Sequence, residues 1–125
     1  MTSQILIIED AKDFQFLLRH LLTKEGYTIH SSENGLLALE YLNSVRPLPA
    51  LILLDLMMPI MDGFEFRAEQ LKNPEFAAIP VVVMSAHGHL DIKSQSLSAN
   101  AFLKKPFEIN VLLATIKQFF PITVS

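Results

Sequence analysis

Residues 50–63 read Ala-Leu-Ile-Leu-Leu-Asp-Leu-Met-Met-Pro-Ile-Met-Asp-Gly, and this stretch decides the fold. Ala50 to Leu54 is an unbroken apolar run of strand length. Such a run suits a strand covered on both faces, as in a parallel sheet. Asp55 follows it directly. A carboxylate is costly in the middle of a buried strand, but the carboxyl end is where ligands of open α/β sheets bind. Asp55 therefore stands where chemistry is expected.

Working outward, three more short runs read as strands: Ile5 to Ile8, Pro80 to Met84 with proline at its tolerated first position, and Ala101 to Leu103. Tyr27 to His30 reads as a fourth. Between them the apolar residues recur at helical spacing. Phe14, Leu17, Leu18, Leu21 and Leu22 mark a first helix stopped by Gly26, and Leu36, Leu39, Leu42 and Val45 a second, ended before Pro47. Asp62-Gly63 opens a third, with Phe64 and Leu71, stopping by Pro74. Phe64 and Phe66 are two apart and do not share a face, so one is expected to be exposed. A fourth helix over about residues 88–97 has weak periodicity. Ile109, Leu112, Leu113, Ile116 and Phe119 mark the last. The expected architecture is α/β: a doubly wound, flavodoxin-like, five-stranded parallel sheet in the order 2-1-3-4-5 with five helices.

Half of the 125 residues are hydrophobic and 18% are charged, a composition able to build one core and unlike a disordered chain. No apolar run approaches the roughly 20 residues of a membrane span. The absence of cysteine removes disulfide and thiolate chemistry and fits a cytoplasmic location. With a net charge of -3 and no basic cluster beyond Lys104-Lys105, direct nucleic-acid binding is not expected. One domain over residues 1–125 is expected, and the short tail from Pro121 to Ser125 favours a stand-alone protein.

Glu9 and Asp10 follow the first strand as Asp55 follows the third. In the order 2-1-3-4-5 these strands are neighbours, so the three carboxylates converge at the switch-point crevice. Two carboxylates about 4 Å apart repel by about 4 kcal/mol at an effective dielectric near 20, which calls for a proton or a cation. An all-oxygen donor set suits magnesium. Ser85 and Lys105, at the ends of the fourth and fifth strands, offer a hydroxyl and an ammonium. Together these groups suit a metal-bound phosphoryl group, with Asp55 as the nucleophile. Asp13 and Asp62 read as helix-start residues, Lys104 as a solvated or partner-facing residue, and His87 and His89 as loop histidines without a third ligand.

Four segments in order, Ile7-Ile8-Glu9-Asp10, Leu54 to Gly63, Met84-Ser85-Ala86 and Phe102-Leu103-Lys104-Lys105-Pro106-Phe107, give a chain that resembles the receiver domains of two-component response regulators. The resemblance implies that Asp55 accepts phosphate from a histidine kinase or histidine phosphotransfer protein. It implies that Glu9, Asp10, Asp55 and the Met57 backbone carbonyl hold magnesium, and that Ser85 and Lys105 contact the phosphoryl oxygens. Phe102 stands at the switch-aromatic position coupled to Ser85, and the peptide before Pro106 is expected to be cis. The domain would catalyse only its own phosphorylation and dephosphorylation. The surface of the fourth helix, fifth strand and fifth helix would change its affinity for a downstream partner, as a monomer or a phosphorylation-dependent dimer. Four departures stand out: Glu9 for the commoner Asp, Phe102 for the commoner Tyr, Ser98 where Gly often stands, and Met57 with His87 at positions that tune phosphoryl lifetime. The bulk of Met57 suggests slow hydrolysis.

Rival readings fare worse. A haloacid-dehalogenase-type phosphohydrolase needs a second Asp two residues after the nucleophile, where this chain has Met57. A nucleotide- or flavin-binding module needs a glycine-rich loop, and Gly26, Gly35, Gly63 and Gly88 are scattered. A receiver that works without phosphorylation would not need an intact acidic pocket.

Overall fold

A computed structural model of the chain describes residues 3–86 and 97–120. His87, His89 and all but the last residue of the helix expected over 88–97 lie outside these residues. In chain order the elements are β1 (Gln4–Ile8), α1 (Lys12–Lys24), β2 (Thr28–Ser32), α2 (Gly35–Ser44), β3 (Leu51–Asp55), α3 (Gly63–Leu71), α4 (Pro74–Ala77), β4 (Val81–Ser85), β5 (Ala101–Lys104) and α5 (Ile109–Lys117). The five strands form one sheet in the order β2-β1-β3-β4-β5, and every pair is parallel. This is the topology expected from the sequence.

Strand periodicity divides the interior into two cores. Leu6, Ile8, Ile52, Leu54, Val81 and Val83 face one side, where Ala38 and Leu42 of α2 and Phe66 of α3 cover them. Ile5, Ile7, Leu51, Leu53, Val82 and Met84 face the other, beneath Leu18 and Leu22 of α1 and Leu112 and Ile116 of α5. With both faces covered, every residue of β3 and β4 is buried, which is why their sequences read as continuous apolar runs.

Local chemistry fixes the helix ends. Gly26 at φ +96 lets its own N–H reach the Thr23 carbonyl (3.0 Å) and the Tyr27 N–H reach Leu22 (3.2 Å), closing α1 in a Schellman turn. Asn34 caps α2 by accepting from the Leu37 N–H. Asp62 caps α3 in a reciprocal box with Glu65, as its sequence position suggested. Asp13 lies in the first turn of α1.

The helix faces differ from expectation in several places. Leu36 of α2, Leu17 of α1 and Ile109 of α5 are exposed, and Ala38 and Leu42 carry the α2 contact. In α3 the inner face is Gly63, Phe66, Arg67 and Gln70, while Leu71 is exposed and Phe64 is half-buried against the core margin. Neither Phe64 nor Phe66 is therefore the freely exposed aromatic anticipated. Positions 63, 66, 67 and 70 have helical spacing, but two of the four are polar, which hides the stripe. Arg67 donates to the carbonyls of Leu97 (2.9 Å) and Ser98 (3.0 Å) and to Gln70 Oε1 (2.8 Å). Gln70 Nε2 in turn donates to the carbonyls of Phe76 (2.8 Å) and Ile79 (3.2 Å). The single-turn α4 was not expected. Asn73 caps it and Pro74 occupies its first turn.

Candidate functional site

The register of β1 against β3 pairs Ile8 with Leu54, so Glu9 comes abreast of Asp55 at the carboxyl edge. Asp55 is the last residue of β3 rather than the residue after it. Its alternation with Leu51 and Leu53, and that of Glu9 with Ile5 and Ile7, aims both toward the α1 and α5 side. Lys105 continues the same parity from Leu103. The sheet thus gathers two carboxylates and an ammonium on one face of one edge. Ser85 ends β4 beside Lys104, and its carbonyl accepts the Lys105 N–H at 2.8 Å.

The side chains converge as the sequence suggested. Carboxylate oxygens of Glu9, Asp10 and Asp55 all lie within 4.8 Å of one another. Lys105 Nζ is 2.6 Å from Glu9 Oε1 and 3.6 Å from Asp55 Oδ1. Lys104 is exposed, so the structure separates the two lysines. Glu9 is only 1% exposed and Asp55 6%, whereas Asp10 faces solvent. The second Glu9 oxygen accepts the Ala11 N–H at 3.2 Å.

The pocket holds its charges under tension. Burial raises the Asp55 pKa above its ordinary 3.8, opposed by the Lys105 charge, a hydrogen bond with Glu9 and the Met57 N–H, and aided by Asp10. Burial likewise raises Glu9 above 4.5, opposed first by the Lys105 hydrogen bond and aided by the Asp55 charge. Crowded carboxylates whose charged forms are disfavoured are the setting in which a hard cation binds, and an oxygen-only donor set fits magnesium better than zinc or copper.

The backbone beneath Asp55 is tightly built. The Gly63 N–H donates to the Leu56 carbonyl at 3.0 Å, and a Cβ at Gly63 would fall 2.5 Å from the Asp55 carbonyl oxygen. Only glycine lets the start of α3 approach so closely. The Gly35 N–H holds the Met61 carbonyl at 3.0 Å, tying α2 to the loop after β3. Within this loop Ile60 adopts φ +70 in a three-residue turn closed by Met61 N–H to Pro59 O at 2.8 Å. Met57 is 58% exposed at the rim. Phe102 is 37% exposed on β5, and the Lys105–Pro106 peptide is cis, as is Arg46–Pro47.

Two supporting residues were not singled out from the sequence. Gln15 donates its side-chain amide to the Glu9 carbonyl. By spacing Phe14 belongs to the α1 apolar stripe, yet Lys105 Nζ sits 4.4 Å from its ring centroid. The signal available was strand alternation, since Glu9, Asp55 and Lys105 each stand two residues beyond a side chain of the α1 and α5 core, and Phe14 is in the first turn of α1.

A doubly wound parallel sheet with three carboxylates and an ammonium at its switch point defines a small α/β module built to handle a cation and an anion together. Comparison with known proteins specifies the class. The response regulator receiver domain profile matches residues 5–117. Sporulation initiation phosphotransferase F of Bacillus subtilis (strain 168) is 36% identical over 124 residues, which cover 98% of this chain and 97% of that protein. Response regulator PleD of Caulobacter vibrioides is 35% identical over 119 residues, covering 94% of this chain but 26% of the regulator. The receiver domain of a signal transduction histidine kinase from Syntrophus aciditrophicus superposes with a TM-score of 0.85 at 28% identity, covering 98% of this chain and 96% of that one. The chain belongs to the response regulator receiver domains, the phosphoacceptor switch modules of two-component signalling. Members of this family are regulators rather than metabolic enzymes. Among the described residues no helix is long and apolar enough to cross a membrane.

Proposed function

We propose that Asp55 accepts a phosphoryl group from the phosphohistidine of a histidine kinase or histidine phosphotransfer protein, and that Glu9, Asp10, Asp55 and the Met57 carbonyl hold the magnesium this requires. The observation that carries the reading is the Lys105 ammonium, placed 2.6 Å from Glu9 and 3.6 Å from Asp55 beside three converging carboxylates. An Asp55 carboxylate oxygen forms the new O–P bond as the P–N bond to the imidazole breaks. The bonding pair returns to the imidazole nitrogen. Bound magnesium would supply Lewis-acid neutralisation of the phosphoryl oxygens. Lys105 turns from Glu9 toward one of those oxygens, and the Ser85 hydroxyl donates to another. The same groups serve the return to water, so the domain catalyses only its own phosphorylation and dephosphorylation.

The output follows from differential contact. Ser85 engages the phosphoryl group only in the phosphorylated state, and Phe102 exchanges its half-exposed position for an inner one. Phosphorylation thereby shifts the population of two states and changes how the surface of β5 and α5 binds a downstream protein. That protein, or a second copy of the chain, distinguishes the states in the cytoplasm.

Incubation with acetyl phosphate and magnesium, read by intact mass, tests the reading. One added phosphoryl group is expected, absent with EDTA and in Asp55→Asn. No adduct from acetyl phosphate or from any phosphohistidine donor would overturn it, and steady turnover of small phosphate esters would point to a hydrolase instead.

A further inference from the structure

We infer that Phe14 is a positioning residue for phosphoryl transfer, its ring face holding the Lys105 ammonium where it can reach Asp55; this rests on the phosphoacceptor reading above. Lysine carries its charge on a flexible four-carbon stem and has no geometry of its own to fix the ammonium. Three contacts fix it here. Glu9 Oε1 lies at 2.6 Å, Asp55 Oδ1 at 3.6 Å, and the Phe14 ring centroid at 4.4 Å. Phe107 meets that ring in an edge-to-face arrangement, centroids 5.9 Å apart at 69°. Lys105 and Phe107 flank cis Pro106, so one short loop after β5 grips an α1 ring through two of its residues.

The three contacts differ in what they do to the charge. Glu9 and Asp55 attract the ammonium and also neutralise it. The face of an aromatic ring attracts it through the quadrupole and leaves its charge whole for a later partner. During transfer Lys105 has to loosen from Glu9 and turn to a phosphoryl oxygen on Asp55. A ring that holds the ammonium in either position keeps it from swinging into solvent during that exchange. Phe14 is also suited by place, because it lies in the first turn of α1, four residues after Asp10. The helix that follows the acidic pair thus brings the ring to the cation that opposes it.

The test compares Phe14→Leu, which keeps apolar bulk and removes the π face, with Phe14→Tyr, which keeps the face. Acetyl phosphate is the donor, because a small donor makes no docking contact with α1. Phe14→Leu is expected to form the Asp55 adduct roughly five-fold more slowly at saturating donor and magnesium. Phe14→Tyr is expected within about two-fold of wild type, on the same reasoning. The ring also leaves a spectroscopic mark: Lys105 ε-methylene protons should be shifted upfield in wild type and Phe14→Tyr, and not in Phe14→Leu. A Phe14→Leu rate equal to wild type overturns the inference alone, as does a Phe14→Tyr rate as slow as that of Phe14→Leu. Wild-type protein that takes up no phosphoryl group overturns the phosphoacceptor reading and this inference with it.

Discussion

Glu9 and Asp55 at the carboxyl edge of the sheet, and Arg67 and Gln70 on the inner face of α3, are all buried, yet their surroundings are opposite in kind. The guanidinium of Arg67 meets two backbone carbonyls and an amide oxygen, and Gln70 passes the network on to two more carbonyls. Burial lowers the Arg67 pKa, with no neighbouring charge contributing. Every partner there is neutral and already in place. The acidic pocket instead crowds like charges around one ammonium. Burial raises the pKa of both carboxylates, and a further cation would offset that cost. The satisfied network holds α3, the α4 turn and the approach to β5 together. The dissatisfied one is poised to bind and react.

Substitution at the two places should break them differently. Asp55→Asn is expected to abolish phosphoryl uptake while raising stability in metal-free buffer, because it removes a carboxylate whose burial is net unfavourable. Arg67→Met is expected to leave uptake intact and lower stability by about 3 kcal/mol, since Leu97, Ser98 and Gln70 lose their donor at once. Urea unfolding together with intact mass separates the two outcomes. A loss below about 1 kcal/mol for Arg67→Met would show that the network adds little.

Acidity offers a second contrast. The folded protein binds protons at Asp55 and Glu9 more tightly than the unfolded chain does, because both pKa values are raised from 3.8 and 4.5. The stability these groups contribute is present below those values and is lost as pH rises through the raised ones. In EDTA, the melting-temperature advantage of Asp55→Asn over wild type should grow from about pH 4 toward neutrality. A constant or shrinking difference would contradict the raised Asp55 value. The Arg67→Met deficit should not vary over the same range.

Two smaller effects sharpen the picture on the site side. Replacing exposed Met57 with Ser should speed adduct hydrolysis by roughly three- to ten-fold if its bulk screens the acyl phosphate from water, a change of about 1 kcal/mol in barrier. An unchanged or longer lifetime would remove Met57 from that role. Ile60 is β-branched at φ +70, a conformation that Asn tolerates far better. Ile60→Asn should raise stability by about 1 kcal/mol, measured by the same urea titration.

How much of this was legible in the sequence follows from the same contrast. The runs at 5–8, 51–54 and 81–84 announced buried strands because both faces are covered, and the carboxylates ending two of them stood out against apolar neighbours. Glu9, Asp10, Asp55 and Lys105 do converge. The Arg67–Gln70 network was invisible because its partners are backbone carbonyls, which no residue type marks, and because polar residues broke the α3 stripe. Pro74 marks the stop of α3, and with Asn73 as cap it also starts α4. Leu36 has the right spacing for the α2 stripe, but small Ala38 provides the close contact. Ser98 replaces a frequent glycine and still adopts φ +54, its carbonyl held by Arg67.

The pairing of the strands has a consequence for how this chain can vary. Glu9, Asp55 and Lys105 share a face because each stands an even number of residues from a side chain in the α1 and α5 core: Ile7, Leu53 and Leu103. Inserting or deleting one residue between either member of any such pair would turn the polar group toward the opposite layer and empty the pocket. Length changes in the turn after Ser44 would leave that alternation untouched. Descendants of this sequence are therefore free to lengthen the turn after Ser44, but between these paired positions they can change length only in steps of two.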